Sequence, residues 1–227
     1  MSDTMKEGIN LYRSGQWTDA LTVFLGIPSG EGGGNLQLAY YIGLCYARLE
    51  RYDDALVYLE QVVTADTDLA RVYQCRMVLA VIYTLTERTR LAAFELHKLI
   101  DSGYESPQVF SSLAYIAFEH GSTDEAIQWY EKALALESNS PTALNGLGYV
   151  LAETGKDLTR ALTMCKKAVD AQGNNPAFLD SIAWIYHKLG LVSEARTYAR
   201  RAREGNPNSP VITRHFREIT QKAGGSI

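Results

Sequence analysis

The residues able to do chemistry in this 227-residue chain are few and widely spread. The four histidines, His97, His120, His187 and His215, stand too far apart in sequence to form a helical pair that holds a metal. The three cysteines, Cys45, Cys75 and Cys165, are an odd number at wide spacing, so they outline neither a disulfide framework nor a metal knot. Cys45 and Cys165 fall at apolar positions, which makes them reduced packing residues. The paired acids Asp53-Asp54 and Asp124-Glu125 stand at helix starts, where negative charge complements the positive helix end. The glycine-rich stretch from Gly30 to Gly34 lacks the Lys-Ser/Thr of a phosphate loop and reads as a flexible join. These patterns predict a non-enzymatic protein with no catalytic residues, no metal and no cofactor.

Positioning of the remaining residues follows from an internal repeat of about thirty-four residues. A small residue is followed by Ala twelve positions on, then by apolar residues four and seven after that. The copies run Gly8, Ala20, Phe24, Ile27; Gly43, Ala55, Leu59, Val62; Ala80, Ala92, Leu96, Leu99; and Ala114, Ala126, Tyr130, Ala133. Two more run Gly148, Ala161, Cys165, Ala168, with one extra residue, and Ala183, Ala195, Ala199, Ala202. Each copy divides into two apolar-periodic stretches of helical length at a break such as Ser14-Gly15, His120-Gly121, Thr154-Gly155 or Leu189-Gly190, where Gly can end a helix in the left-handed conformation. Thr18, Asp53, Thr123 and Ser193 are expected to cap the second helix. Two helices that cross closely need small residues at the crossing, which accounts for the Gly or Ala on one and the Ala on the other.

This pattern resembles the tetratricopeptide repeat (TPR) family over nearly the whole chain. An Ile or Leu precedes the small residue in five copies, as Ile42, Leu79, Leu113, Leu147 and Ile182, and an aromatic follows by three at Tyr46, Tyr83 and Tyr186. The departures are Glu7 before the first small residue, Glu87 where a Gly is usual, and two long joins at the start. The stretch from Asn175 to Gly190 is most similar to bacterial members. The resemblance implies an all-α, right-handed superhelical solenoid over residues 1–227, with repeats at 1–34, 36–69, 73–106, 107–140, 141–175 and 176–209 and a capping helix at 210–222. In that helix Ile212, Phe216 and Ile219 share one side. A cap covers the apolar face that a last repeat would expose.

In this family the first helix of each hairpin lines a concave groove. Carried onto this sequence, the inner row comprises Met5, Ile9 and Tyr12; Tyr40 and Leu44; Met77 and Val81; Ser111, Tyr115 and Phe118; Asn145 and Tyr149; and Asp180, Trp184 and His187. The row is mostly apolar on helices whose other sides also carry packing residues, a pattern that calls for protein on both faces. A peptide or helix of a protein partner, with the aromatics as anchors and Asn145, Asp180 and His187 orienting its backbone, is the expected covering. The alternatives are self-association, giving a homo-oligomer, and contact of Tyr115, Phe118, Tyr149 and Trp184 with one another. The paired Lys and Asn with which some members grip a free carboxylate are absent, because Met5 with Ile9 and Tyr40 with Leu44 stand there.

Charge and composition narrow the partners. Residues 1–150 carry net −9 and residues 151–227 net +5, a dipole that can join copies head to tail. The overall charge of −4 argues against nucleic acid. No apolar run approaches the roughly 20 residues that span a bilayer, and MSDTMKEG lacks the pattern of a signal peptide, so no membrane association and a cytoplasmic location are expected.

Overall fold

The computed structural model describes residues 3–28 and 35–221; the Gly30 to Gly34 join and Lys222 lie outside them. The described residues form thirteen α-helices: α1 (Asp3–Arg13), α2 (Trp17–Leu25), α3 (Asn35–Arg48), α4 (Tyr52–Ala65), α5 (Leu69–Leu85), α6 (Thr89–Asp101), α7 (Pro107–Glu119), α8 (Thr123–Leu136), α9 (Pro141–Thr154), α10 (Leu158–Ala171), α11 (Pro176–Lys188), α12 (Val192–Gly205) and α13 (Pro210–Gln221). None is long and apolar enough to cross a membrane. The chain divides into two compact units, Met1–Glu105 with α1 to α6 and Ser106–Ile227 with α7 to α13.

In the first unit α1 pairs with α2, α3 with α4 and α5 with α6, and each hairpin packs on the next through α2 with α3 and α4 with α5. The second unit repeats this scheme with α7 and α8, α9 and α10, and α11 and α12, then adds α13 against α12 and α11. The repeat motif supplies the crossings. Ala20, Ala55, Ala92, Ala126, Ala161 and Ala195 are all fully buried. A Cβ on Gly8 would stand 2.5 Å from the Phe24 ring, on Gly43 2.8 Å from Leu59, and on Gly148 2.5 Å from Cys165 Sγ. The backbones therefore approach as closely as the fourth-position side chain permits.

Each hairpin turn uses one left-handed residue. Gly15, Gly121, Gly155 and Gly190 take it at no steric cost, whereas Glu50 (φ 58°) and Glu87 (φ 60°) adopt the same conformation with a side chain. The hydrogen bonds explain why the turn persists without Gly: Arg88 N donates to Tyr83 O at 2.7 Å and Glu87 N to Thr84 O at 3.1 Å, as Gln16 N does to Leu11 O and Gly15 N to Tyr12 O.

The caps differ from expectation. Thr18, Asp53, Thr123 and Ser193 lie inside the first turns of α2, α4, α8 and α12, and the residues that precede those helices make no side-chain cap bond. The tight turn already fixes the chain direction there. Side-chain caps are placed instead where the chain enters from a longer connection, by Asp68 on α5, Ser106 on α7 and Asn175 on α11, and also by Asp157 on α10.

Candidate functional site

The first helices of the hairpins in the first unit leave an open apolar cleft of about 300 Å³. Its floor is α5, which contributes Gln74, Met77, Val78, Val81, Ile82 and Leu85, the i, i+3, i+4, i+7, i+8 and i+11 positions of one helix face. Tyr12 of α1, Leu44, Ala47 and Arg48 of α3, and Tyr52 at the start of α4 complete the walls. Four residues of the expected inner row, Tyr12, Leu44, Met77 and Val81, therefore meet in one cleft. Val81 is 51% exposed and Leu85 59%.

The other expected residues of this unit are buried, and Tyr40 is bonded to the cleft floor. Met5, Ile9 and Tyr40 are buried, and Leu44 shows only an edge to solvent. Tyr40 donates its hydroxyl to Gln74 Oε1 at 2.6 Å and meets the Tyr41 ring edge-on at 4.9 Å; Tyr41 in turn stacks on Phe24. Burial pushes the Tyr40 phenol well above its ordinary pKa, with the neighbouring Tyr41 adding to it, so it is a fixed donor. Met5, Ile9 and Tyr40 are thus unavailable to a partner because their own unit covers them.

Electrostatics single out one cation. The α5 arginines are neutralised, Arg71 by Asp66 at 2.6 Å and Asp68 at 2.8 Å, and Arg76 by Glu95 at 2.5 Å. Burial raises the Glu95 carboxyl despite Arg76. Among the described residues that line the cleft, Arg48 is the one that is charged. It lies over the Trp17 ring at 5.9 Å, and no carboxylate of a described residue pairs with it. Arg48, Gln74, Val78 and Leu85 were not among the sequence-expected residues. The available signal was α5 itself, which runs 17 residues with apolar side chains all round.

In the second unit the chain's own last helix covers the far end of the expected row. His215 of α13 is fully buried: its Nδ1 lies 2.7 Å from Asp180 Oδ2, and its ring stacks on Trp184 at 4.2 Å and 13°. Its Nε2 faces Arg214 at 3.3 Å and Glu153 at 3.9 Å. Asp180 and Trp184 are consequently buried, at 4% and 5% exposure, and are corrected from partner-binding positions to seats for α13. His187 also stacks on Trp184, at 5.3 Å, and lies 3.7 Å from Glu218 of α13. Phe118 and Tyr149 meet edge to face at 5.9 Å, and Tyr149 donates to Glu153 at 3.1 Å. Asn145 is half-buried and accepts from Cys165 Sγ at 3.8 Å, and Ser111 is buried. Tyr115, 46% exposed, is the member of the row in this unit that faces solvent most.

The reactive groups are buried or already engaged. Burial pushes the thiols of Cys45, Cys75 and Cys165 up to about 12, so none offers a thiolate nucleophile near neutrality. Cys165 meets Asn145, while His187 meets Trp184.

Comparison with known proteins agrees with this architecture. A tetratricopeptide repeat family profile matches residues 5–70, and a second profile, described as a TPR repeat, matches residues 114–155. A TPR repeat-containing protein of Pseudomonas aeruginosa is 35% identical over 78 residues, 34% of this chain and 13% of that protein. The chain thus spans a small part of that relative. Among solved structures, the Cut9–Hcn1 hetero-tetramer of the APC/C is similar with a TM-score of 0.76 at 15% identity, covering 96% of this chain and 42% of that one. YrrB, described as a TPR protein with an unusual peptide-binding site, is similar with a TM-score of 0.55 at 16% identity, covering 87% of this chain and 96% of that one.

Proposed function

From a chain that belongs to the tetratricopeptide repeat family, we propose a non-enzymatic interaction scaffold that holds a peptide or helical segment of a protein partner in the cleft floored by α5. The observation that carries this reading is the α5 face. Met77, Val78, Val81 and Leu85 extend over about 12 Å of helix, and their apolar surface lies open in a concavity. Apolar concavities of this kind gain the most from a partner that fills them, because burial of hydrocarbon contributes roughly 25 cal/mol per Å². The rigid aromatic support under the cleft, Tyr40, Tyr41 and Phe24, keeps the floor formed before a partner arrives and so reduces the ordering cost of binding. Similarity in fold to YrrB is consistent with peptide binding.

The test is a peptide array. Wild-type chain is screened beside Val81→Glu against amphipathic and extended peptides of about 14 residues, long enough as helices to span the α5 face. Peptides retained by the wild type and lost by Val81→Glu support the cleft as the site. An array pattern unchanged by the substitution contradicts it.

A further inference from the structure

We infer that the occupant of the α5 cleft is an amphipathic helix whose polar flank is acidic. The inference rests on the cleft being the binding site, and it adds the partner's secondary structure and charge.

The helical form follows from the shape of the floor and from what this chain itself places on such a surface. The residues of α5 that line the cleft recur at i, i+3, i+4, i+7, i+8 and i+11, a straight strip three turns long that matches the apolar stripe of a second helix. In the second unit the residues expected on the same inner row, Asp180, Trp184 and His187, are met by α13, a 12-residue amphipathic helix. α13 packs there on α12 as well as on α11, in the place a following first helix takes, which shows that residues of this row accept an amphipathic helix as neighbour.

Charge complementarity sets the sign. Where α13 seats, the receiving surface carries Asp180 and Glu153 and the incoming helix brings Arg214, with His215 as the hydrogen-bond partner of Asp180. In the first unit the lining is of opposite sign. Arg48 is its charged member, while Lys6, Arg51, Arg71, Arg76 and Arg88 are each tied to a carboxylate of their own unit. An incoming carboxylate beside the apolar stripe would meet Arg48 with a charge-assisted hydrogen bond, and a lysine there would meet the same cation with repulsion. Gln74, whose Oε1 accepts from Tyr40, keeps its amide N–H groups for a second acceptor. Residues 1–105 as a whole carry net −5, so long-range attraction favours a basic peptide. A preference for an acidic one is thus a signature of the local Arg48 contact.

The experiment uses two designed 14-residue helical peptides with the same leucine stripe, one flanked by Glu and one by Lys, fluorescein-labelled and titrated by anisotropy with the full chain. The expected result is at least tenfold tighter binding of the Glu peptide, equal binding of the two by Arg48→Gln, and preference for the Lys peptide by Arg48→Glu. Val81→Glu weakens both; if that variant loses its helical circular dichroism, Leu85→Glu, at a more exposed position, takes its place. Equal binding of both peptides by the wild type, with both lost in Val81→Glu, overturns the acidic chemistry and leaves the cleft as the site. Binding that is insensitive to Val81→Glu and Leu85→Glu, or no binding of either peptide at millimolar concentration, overturns the site itself.

Discussion

His215 and Asp180 lie thirty-five residues apart in sequence and 2.7 Å apart in the fold, both shielded from solvent, and their contact fastens α13 to α11. The ring of His215 also stacks on Trp184, so one side chain supplies the polar and the aromatic part of the seat. Ile212 and Ile219 complete it on the apolar side, with Leu179 and Ala202 packed against Ile212. Replacement by Ala leaves the Asp180 carboxylate buried without its partner, which costs about 2 kcal/mol. His215→Ala is therefore expected to raise amide exchange across Pro210–Gln221 first, with α1 to α6 unaffected. Protection of α13 equal to wild type shows that the His215 contact does not fasten the helix.

The crossing rule predicts a second effect. A Cβ on Gly148 would stand 2.5 Å from Cys165 Sγ and 3.0 Å from the Ala161 carbonyl oxygen, and the latter belongs to backbone that cannot rotate away. Gly148→Ala should lower stability by about 1–3 kcal/mol through overpacking, although Ala is the better helix former. Thermal denaturation checks this, and an unchanged or raised Tm contradicts the close crossing of α9 and α10.

Acid dependence isolates the Asp66–Arg71 pair. Hydrogen bonds from Arg71 hold the Asp66 carboxyl below its ordinary range. A depressed carboxyl stabilises the fold above its unfolded pKa of about 3.9, and that contribution is lost as pH falls through the lower folded value. Glu95 acts in the opposite sense, because burial raises it and the fold takes up its proton more readily. Asp66→Asn is expected to be less stable than wild type by roughly 1–3 kcal/mol at neutral pH, with the difference shrinking below pH ~4. Urea titrations of both proteins at several pH values measure it; a difference independent of pH contradicts the ion pair as its source.

The hairpins were legible because their cause is local and repeated: Gly or Ala at the crossing, Ala opposite, an apolar residue one turn on. Glu87 broke the sequence pattern and yet holds the turn, since two backbone hydrogen bonds fix the left-handed conformation that Gly would adopt freely. The site was legible only in part. Tyr12, Leu44, Met77 and Val81 of the expected row meet in one cleft, because helix periodicity assigns a face. Periodicity does not say which of those residues the chain covers itself. Trp184 has the composition of an anchor and is buried because His215, from a helix read only as an end cap, lies on it. Arg48 was missed because it lies a full turn beyond the row, at the end of α3, and reaches the cleft only through the packing of α3 beside α5.

The most direct measurement uses Met77, which lines the cleft, against Met164, which packs in the second unit beside Leu144, Ala168 and Phe178. With the methionine methyls labelled by ¹³C, the Glu-flanked peptide is titrated into the full chain and the two resonances are followed. Occupancy of the cleft predicts a saturable shift of the Met77 signal with the same midpoint as the anisotropy curve, while Met164 stays in place. Binding that leaves Met77 unmoved, or that moves Met164 instead, contradicts the assignment of the α5 cleft as the site of interaction.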